Sequence, residues 1–276
     1  MDQLLSSGSL IVLFLIFIFF AKLVNDWLTP YSLDKELTQK DNTALALSLA
    51  GYLLAGTIIF IGTEIGISQG FLNDILMITG YYILGIVLLN ISRIINDKAI
   101  LYKFCNLKEL TQERNIGVGA VQFGSYLASG LIIAGAISGE GGGILTAIVF
   151  YILGQLALVL FTKLYNFITP FDIHQELKTG NVAAGVAFSG GLVSLGIILM
   201  KGVSGNFISW QENMLRFLFS LILVFILLPV VRIFFDKVII PRSNLNDEIK
   251  NDKNLGVAFL EAVIMISFSS VLIFMI

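Results

Sequence analysis

Eight stretches of this chain are each long and apolar enough to cross a bilayer, and no other feature limits its fold so tightly. They lie at roughly 9–28, 43–62, 74–95, 115–137, 144–168, 181–202, 214–235 and 254–276. A membrane-spanning helix needs about 20 mostly apolar residues. Only 13% of the 276 residues are charged, where a soluble domain carries about 25%. Mean hydropathy is +0.90. The expected fold is therefore an all-α membrane protein of eight transmembrane helices, with almost no soluble domain.

The first span sits where a signal peptide would, but it has no positive region ahead of it, since the first basic residue is Lys22. Its exit sequence also recurs after the fifth span, and a cleaved signal would not be duplicated inside the mature chain, so this span is expected to stay. Lysine and arginine are held on the cytoplasmic side of a membrane. Fifteen of the seventeen lie in or near the segments after spans one, three, five and seven, leaving only Lys201 and Arg216 for the other side. The connections near 29–42, 96–114, 169–180 and 236–253 are thus expected in the cytoplasm. Both termini are expected on the periplasmic or extracellular side of a bacterial inner membrane.

The chain also repeats itself. KLVNDWLTPYSLDKEL, from Lys22 to Leu37, returns as KLYNFITPFDIHQEL, from Lys163 to Leu177, with Asp26 the inserted residue that keeps the two in step. Repeats of this kind determine architecture before any finer reading. A deeper pattern recurs four times, as a Glu-(Leu/Ile) pair followed by an Asn that opens the next span. The pairs are Glu36 with Asn42, Glu109 with Asn115, Glu176 with Asn181, and Glu248 with Asn254. Nine residues past the first three Asn comes a glycine (Gly51, Gly124, Gly190), whereas the fourth repeat has Val263. Repeats one and three share Thr-Pro. Repeats two and four share Arg93…Asp97-Lys98 and Arg232…Asp236-Lys237. The expected organisation is two four-helix halves, 1–140 (repeats 1–72 and 73–140) and 141–276 (repeats 141–210 and 211–276). Each repeat has an even number of spans, so all four insert the same way up, and an axis along the membrane normal should relate the halves by about 180°.

The Glu-Leu…Asn-x-Ala lead into a small-residue span, clearest at Glu36 to Gly51 and Glu176 to Gly190, resembles the domain-of-unknown-function 350 family, the YjfL-like bacterial inner-membrane proteins. The resemblance covers essentially the whole chain and implies a multi-spanning inner-membrane protein, with no activity attached.

Thr29-Pro30 and Thr169-Pro170 are each expected to end a span and start a short surface helix, over about 30–40 and 170–179, with Thr as N-cap and Pro at the first helical position. The four Asn can cap membrane helices. Alternatively the four Glu and four Asn gather around one axis as a cytoplasmic mouth, and carboxylate rings are one way to select cations. Small residues at four-residue spacing, such as Gly51/Ala55 and Gly124/Ala128, suit close helix packing. SGEGGG (138–143) has no phosphate-loop Lys-Ser/Thr and is expected to be a linker. Deeper in the spans lie Gln122, Gln155 and Glu261. Gln122 and Glu261 occupy matching positions, and are expected at one depth across the axis, with no basic residue near enough to pair with Glu261.

There is no paired-His metal motif, no acidic cluster suited to phosphates, and a single histidine, His174, so neither an enzyme nor a metal or other cofactor is expected. The lone Cys105 cannot form a disulfide within the chain, and no basic stripe suits nucleic acid. Two readings of function remain. One is a non-enzymatic envelope or membrane-stress component, with the lipid bilayer, a second copy or a cytoplasmic protein as partner. The alternative is a channel or transporter passing a proton or small cation between the halves.

Overall fold

In the computed structural model, residues 2–65 and 70–275 are described, with side chains from residue 8 onward. Residues 66–69, within the 63–73 connection, and Ile276 lie outside them. Every regular element among the described residues is a helix. Eight are long and apolar enough to span a membrane: α1 (Asp2–Leu28), α2 (Thr43–Thr63), α3 (Phe71–Ile95), α5 (Ile116–Ile137), α6 (Ile144–Ile168), α8 (Val182–Val203), α9 (Trp210–Phe234) and α11 (Leu255–Leu272). Three single-turn-and-a-half helices stand between them, α4 (Asn106–Thr111), α7 (Ile173–Lys178) and α10 (Leu245–Lys250). The spans match the apolar stretches to within a few residues at most ends. The exceptions are α3 and α9, which run without a break into π-helical turns at Asn96–Ile100 and Phe235–Ile239. Each of these spans is 30 residues long in all.

The helices form two layers. α2, α5, α8 and α11 stand in a row, each packed along the next. α3 covers the seam between α2 and α5, α6 that between α5 and α8, and α9 that between α8 and α11, while α1 lies on α2 and α3. The row is close because of its glycines. A Cβ on Gly51 would stand 2.5 Å from the Cα of Phe123, one on Gly190 2.5 Å from the Cα of Ala262, and one on Gly124 2.9 Å from the Cα of Ser189. With no helix-to-helix hydrophobic drive in lipid, such backbone approach supplies the packing energy. Val263, where the fourth repeat lacks its glycine, is exposed at the end of the row. Among the described residues no helix packs against that face of α11, so nothing there requires the space.

The row corrects one expectation. A half-turn relating the two halves would require α11 to pack on α2 as α5 packs on α8. Among the described residues the two make no comparable contact and stand at opposite ends.

Short helices do follow both Thr-Pro segments, a π turn at Lys35–Gln39 and α7, but the expected capping role of the threonines is a second correction. The Thr29 hydroxyl donates to the carbonyl of Asn25 at 2.9 Å, and that of Thr169 to Tyr165 at 2.8 Å. These hydroxyls satisfy last-turn carbonyls and so close the preceding helix instead of opening the next. The N-cap of α7 is instead Asp172, whose side chain accepts from the His174 N–H at 2.9 Å. The glycine-rich 138–143 segment is also more than a linker. Gly139 N–H donates to the carbonyl of Ile65, and Phe207 N–H to that of Glu140, tying three connections together at the end opposite most of the basic residues. Gly139 has φ of +86°, which a side chain would strain.

This packing predicts that Gly190→Ala lowers stability by about 1–3 kcal/mol through overpacking. Val263→Ala, on the open face, should stay within about 0.5 kcal/mol of wild type. Thermal unfolding of the purified protein in detergent measures both, and equal effects would refute the row.

Candidate functional site

The four recurring Asn residues do the same local work. Each stands with extended backbone ahead of its helix, and its Oδ1 accepts the N–H three residues on: Leu45 (3.1 Å), Val118 (3.2 Å), Ala184 (3.1 Å) and Val257 (3.2 Å). These are N-caps, which satisfy donors that would otherwise be stranded at the edge of the apolar layer. The side-chain amide of each Asn also donates to the carboxylate of its own Glu, at 3.1 Å for Glu36, 2.9 Å for Glu109, 2.9 Å for Glu176 and 2.8 Å for Glu248. The turn that brings them together places Asp41, Arg114, Gly180 and Lys253 at positive φ, immediately before each Asn.

In three of the four cases the same amide reaches a second unit. Asn42 donates to the carbonyl of Leu110 at 2.8 Å, Asn115 to that of Leu177 at 2.6 Å, and Asn181 to that of Ile249 at 2.9 Å. Each acceptor is the residue just after the next unit's Glu. The eight residues expected around a single mouth are therefore strung along the row as clasps, each unit holding the one after it. Among the described residues Asn254, in the last unit, makes no such second bond, only those to its own Glu248 and helix. At the other end, the hydrogen bond from Lys40 holds the Glu36 carboxyl below its ordinary range against the upward push of burial, and the Asn42 bond adds to it. The stabilisation from Glu36 is thus present above the unfolded-state carboxylate value and is lost as pH falls through the lowered one.

The intramembrane polar residues do not share one site. Gln122 accepts from the Ser48 hydroxyl at 2.6 Å and makes a long contact with Asp97 at 3.5 Å; Asp97 in turn accepts from Asn106 at 2.7 Å. Gln155 donates to the Ser129 hydroxyl at 3.2 Å. Glu261 faces neither of them. It lies 3.5 Å from Nε of Arg232, with both side chains buried. Another Arg232 nitrogen donates to Asn246 at 3.0 Å, and the guanidinium sits 5.1 Å from the centre of the Tyr165 ring. Both Glu261 oxygens, Nη1 of Arg232 and the Tyr165 hydroxyl are buried without a hydrogen-bond partner. At 3.5 Å the Arg–Glu contact is longer than a direct charge-assisted bond of about 2.7–2.9 Å.

Arg232 thus overturns the expectation that no basic residue comes near Glu261. The π turn carries the seventh span on to Ile239, so Arg232 is seven residues inside it. The repeated Arg-to-Asn distance of 22 residues was the available signal, since it fixes Arg232 relative to α11. His174 is likewise buried, its Nε2 2.7 Å from the Ile100 carbonyl and its Nδ1 3.2 Å from Asp172, so it bridges the second and third units. Asp172 is held low: burial pushes its carboxyl up, but bonds from Lys103 and His174 outweigh it.

Comparison with known proteins finds this chain similar to transmembrane proteins. The family model described as Domain of Unknown Function (DUF350) matches residues 1–137 and again 141–276. A UPF0719 transmembrane protein of Aquifex aeolicus (strain VF5) is 27% identical over 234 residues, 83% of each chain. The UPF0719 transmembrane protein YshE of Bacillus subtilis (strain 168) is 25% identical over 122 residues, 44% of this chain but 86% of its own. No solved structure matches.

Two measurements test the site. Asn115→Ala removes a cap and two donated bonds and should cost about 2–4 kcal/mol, with Asn254→Ala costing about 1 kcal/mol less. Equal losses would mean that the bond between units contributes nothing. Arg232→Met leaves a buried carboxylate unpaired and should cost about 3–5 kcal/mol, and adding Glu261→Leu should recover most of it. Additive losses in the double variant would show the two side chains to be independent.

Proposed function

The chain belongs to the DUF350 family, and from that premise we propose that it is a non-enzymatic integral component of a bacterial inner membrane, acting in envelope maintenance as an anchor for a cytoplasmic partner. The observation that carries this reading is the use made of the recurring Glu and Asn side chains. They are spent on capping helices and clasping neighbouring units, which is the work of a scaffold. The repeated clasp and the two successive family matches favour two tandem halves, 1–140 and 141–276. The distribution of Lys and Arg favours a cytoplasmic basic face and both termini outside.

A second reading, passage of a proton or small cation, draws on one observation. Glu261, Arg232 and Tyr165 keep buried polar atoms without partners, and such groups inside a membrane are functional candidates by default. Arg232 beside Glu261 weighs against cation binding there, since a fixed positive charge repels the ion. The scaffold is therefore the better supported of the two.

Purified protein in liposomes carrying a pH-sensitive dye separates the two. Under an imposed potential, proton and potassium flux should equal that of empty liposomes. Flux in the wild type that Glu261→Gln abolishes would replace the scaffold with the second reading. For orientation, a reporter active only outside the cytoplasm should be active when fused after Ile276 and silent after Asn106; the opposite pattern would reverse the topology.

A further inference from the structure

At the basic end of the molecule, a cleft of about 510 Å³ opens between the second and third units. Tyr102 and Lys103 line one wall, and Lys163, Asn166, Phe171 and Asp172 the other. Lys103 and Asp172 form an ion pair across it, so the remaining charge of the cleft is the ammonium of Lys163.

Lys163 differs from its counterpart in the first unit in a way the repeat makes plain. Lys22 pairs with Asp26, one turn on. Asp26 is the inserted residue of the first unit and has no equivalent in the third, where Asn166 and Phe167 follow directly. Lys163 therefore forms no ion pair among the described residues, and it is exposed and lines the cleft. Asn166 adds a donor, because its carbonyl oxygen is taken by the Ile173 N–H at 2.9 Å and its amide nitrogen is what is left to offer. Below this polar pair runs an apolar rail. Ile152, Leu156 and Leu160, four residues apart on α6, are all exposed, and Phe167 stands above them, 86% exposed. Lys163 lies five residues short of the end of α6 at Ile168, about 7–8 Å by helical rise. Its flexible stem can carry the ammonium from there to the headgroup layer.

We propose that this cleft binds the headgroup of an anionic phospholipid, with its phosphodiester on Lys163 and Asn166 and an acyl chain along Ile152, Leu156 and Leu160. The charges lining the cleft sum to one positive, from Lys103 and Lys163 against Asp172, so a lipid of net charge −1 is neutralised and a zwitterionic one is not. Basic clefts between spans on the cytoplasmic side suit this chemistry. The inference stands apart from the scaffold reading.

Delipidated protein in detergent, incubated with phosphatidylglycerol or phosphatidylcholine of the same chains and examined by native mass spectrometry, tests it. Wild type should retain phosphatidylglycerol in preference. Lys163→Ala and Lys163→Gln should each lower that retention about fivefold, Lys163→Arg should keep it, and Lys22→Ala, at the already paired lysine, should leave it unchanged. Retention in both Lys163 variants equal to wild type would overturn the proposal, and so would an equal loss in Lys22→Ala. Displacement by millimolar inorganic phosphate as effective as by short-chain phosphatidylglycerol would also overturn it, since the site would then be one for the free ion.

Discussion

The structure depends on satisfying the first N–H groups of four helices at the edge of an apolar layer. Water is scarce there, and each unpaired backbone donor is costly. One Asn per unit meets the cost with its oxygen, and its amide nitrogen is then free to do something else. Three of the four reach across to the next unit. The same side chain therefore sets where a helix begins and which neighbour it takes. Glu fixes the amide in that orientation, and the glycine nine residues on lets the two backbones meet at the depth the amide has chosen.

Much of this was legible in sequence, because it rests on local spacing. Eight spans follow from apolar length. The caps follow from Asn ahead of small residues, and the close contacts from Gly51, Gly124 and Gly190. The missing glycine at Val263 was visible as a departure from the repeat, but its meaning appears only once that side chain is seen exposed on the open face of α11. Closure was not legible. A repeat count shows that units are alike, yet an open row and a closed twofold arrangement contain the same units and differ only in whether the last touches the first.

The partner of Glu261 was hidden for a different reason. The apolar stretch 214–235 puts Arg232 three residues from its end, where it reads as belonging with the basic segment that follows. The backbone continues helical past it through a π turn, so the guanidinium stays beside α11 and over the Tyr165 ring. Thr29 and Thr169 misled similarly. Threonine before proline suits a helix start, but a hydroxyl can donate as well as accept, and here it donates backward to the helix it ends.

The open row bears on how the chain is made. Each clasp joins an Asn to a carbonyl 62 or 68 residues further along. At a synthesis rate of about 5–20 residues per second, the partner of each Asn emerges roughly 3–14 seconds after it. Every unit thus meets a finished surface left by the one before, and the last helix need not search for the first. A closed ring would hold its final interface open until translation ended, with an apolar seam exposed to other nascent chains. In the row, assembly can keep pace with the ribosome.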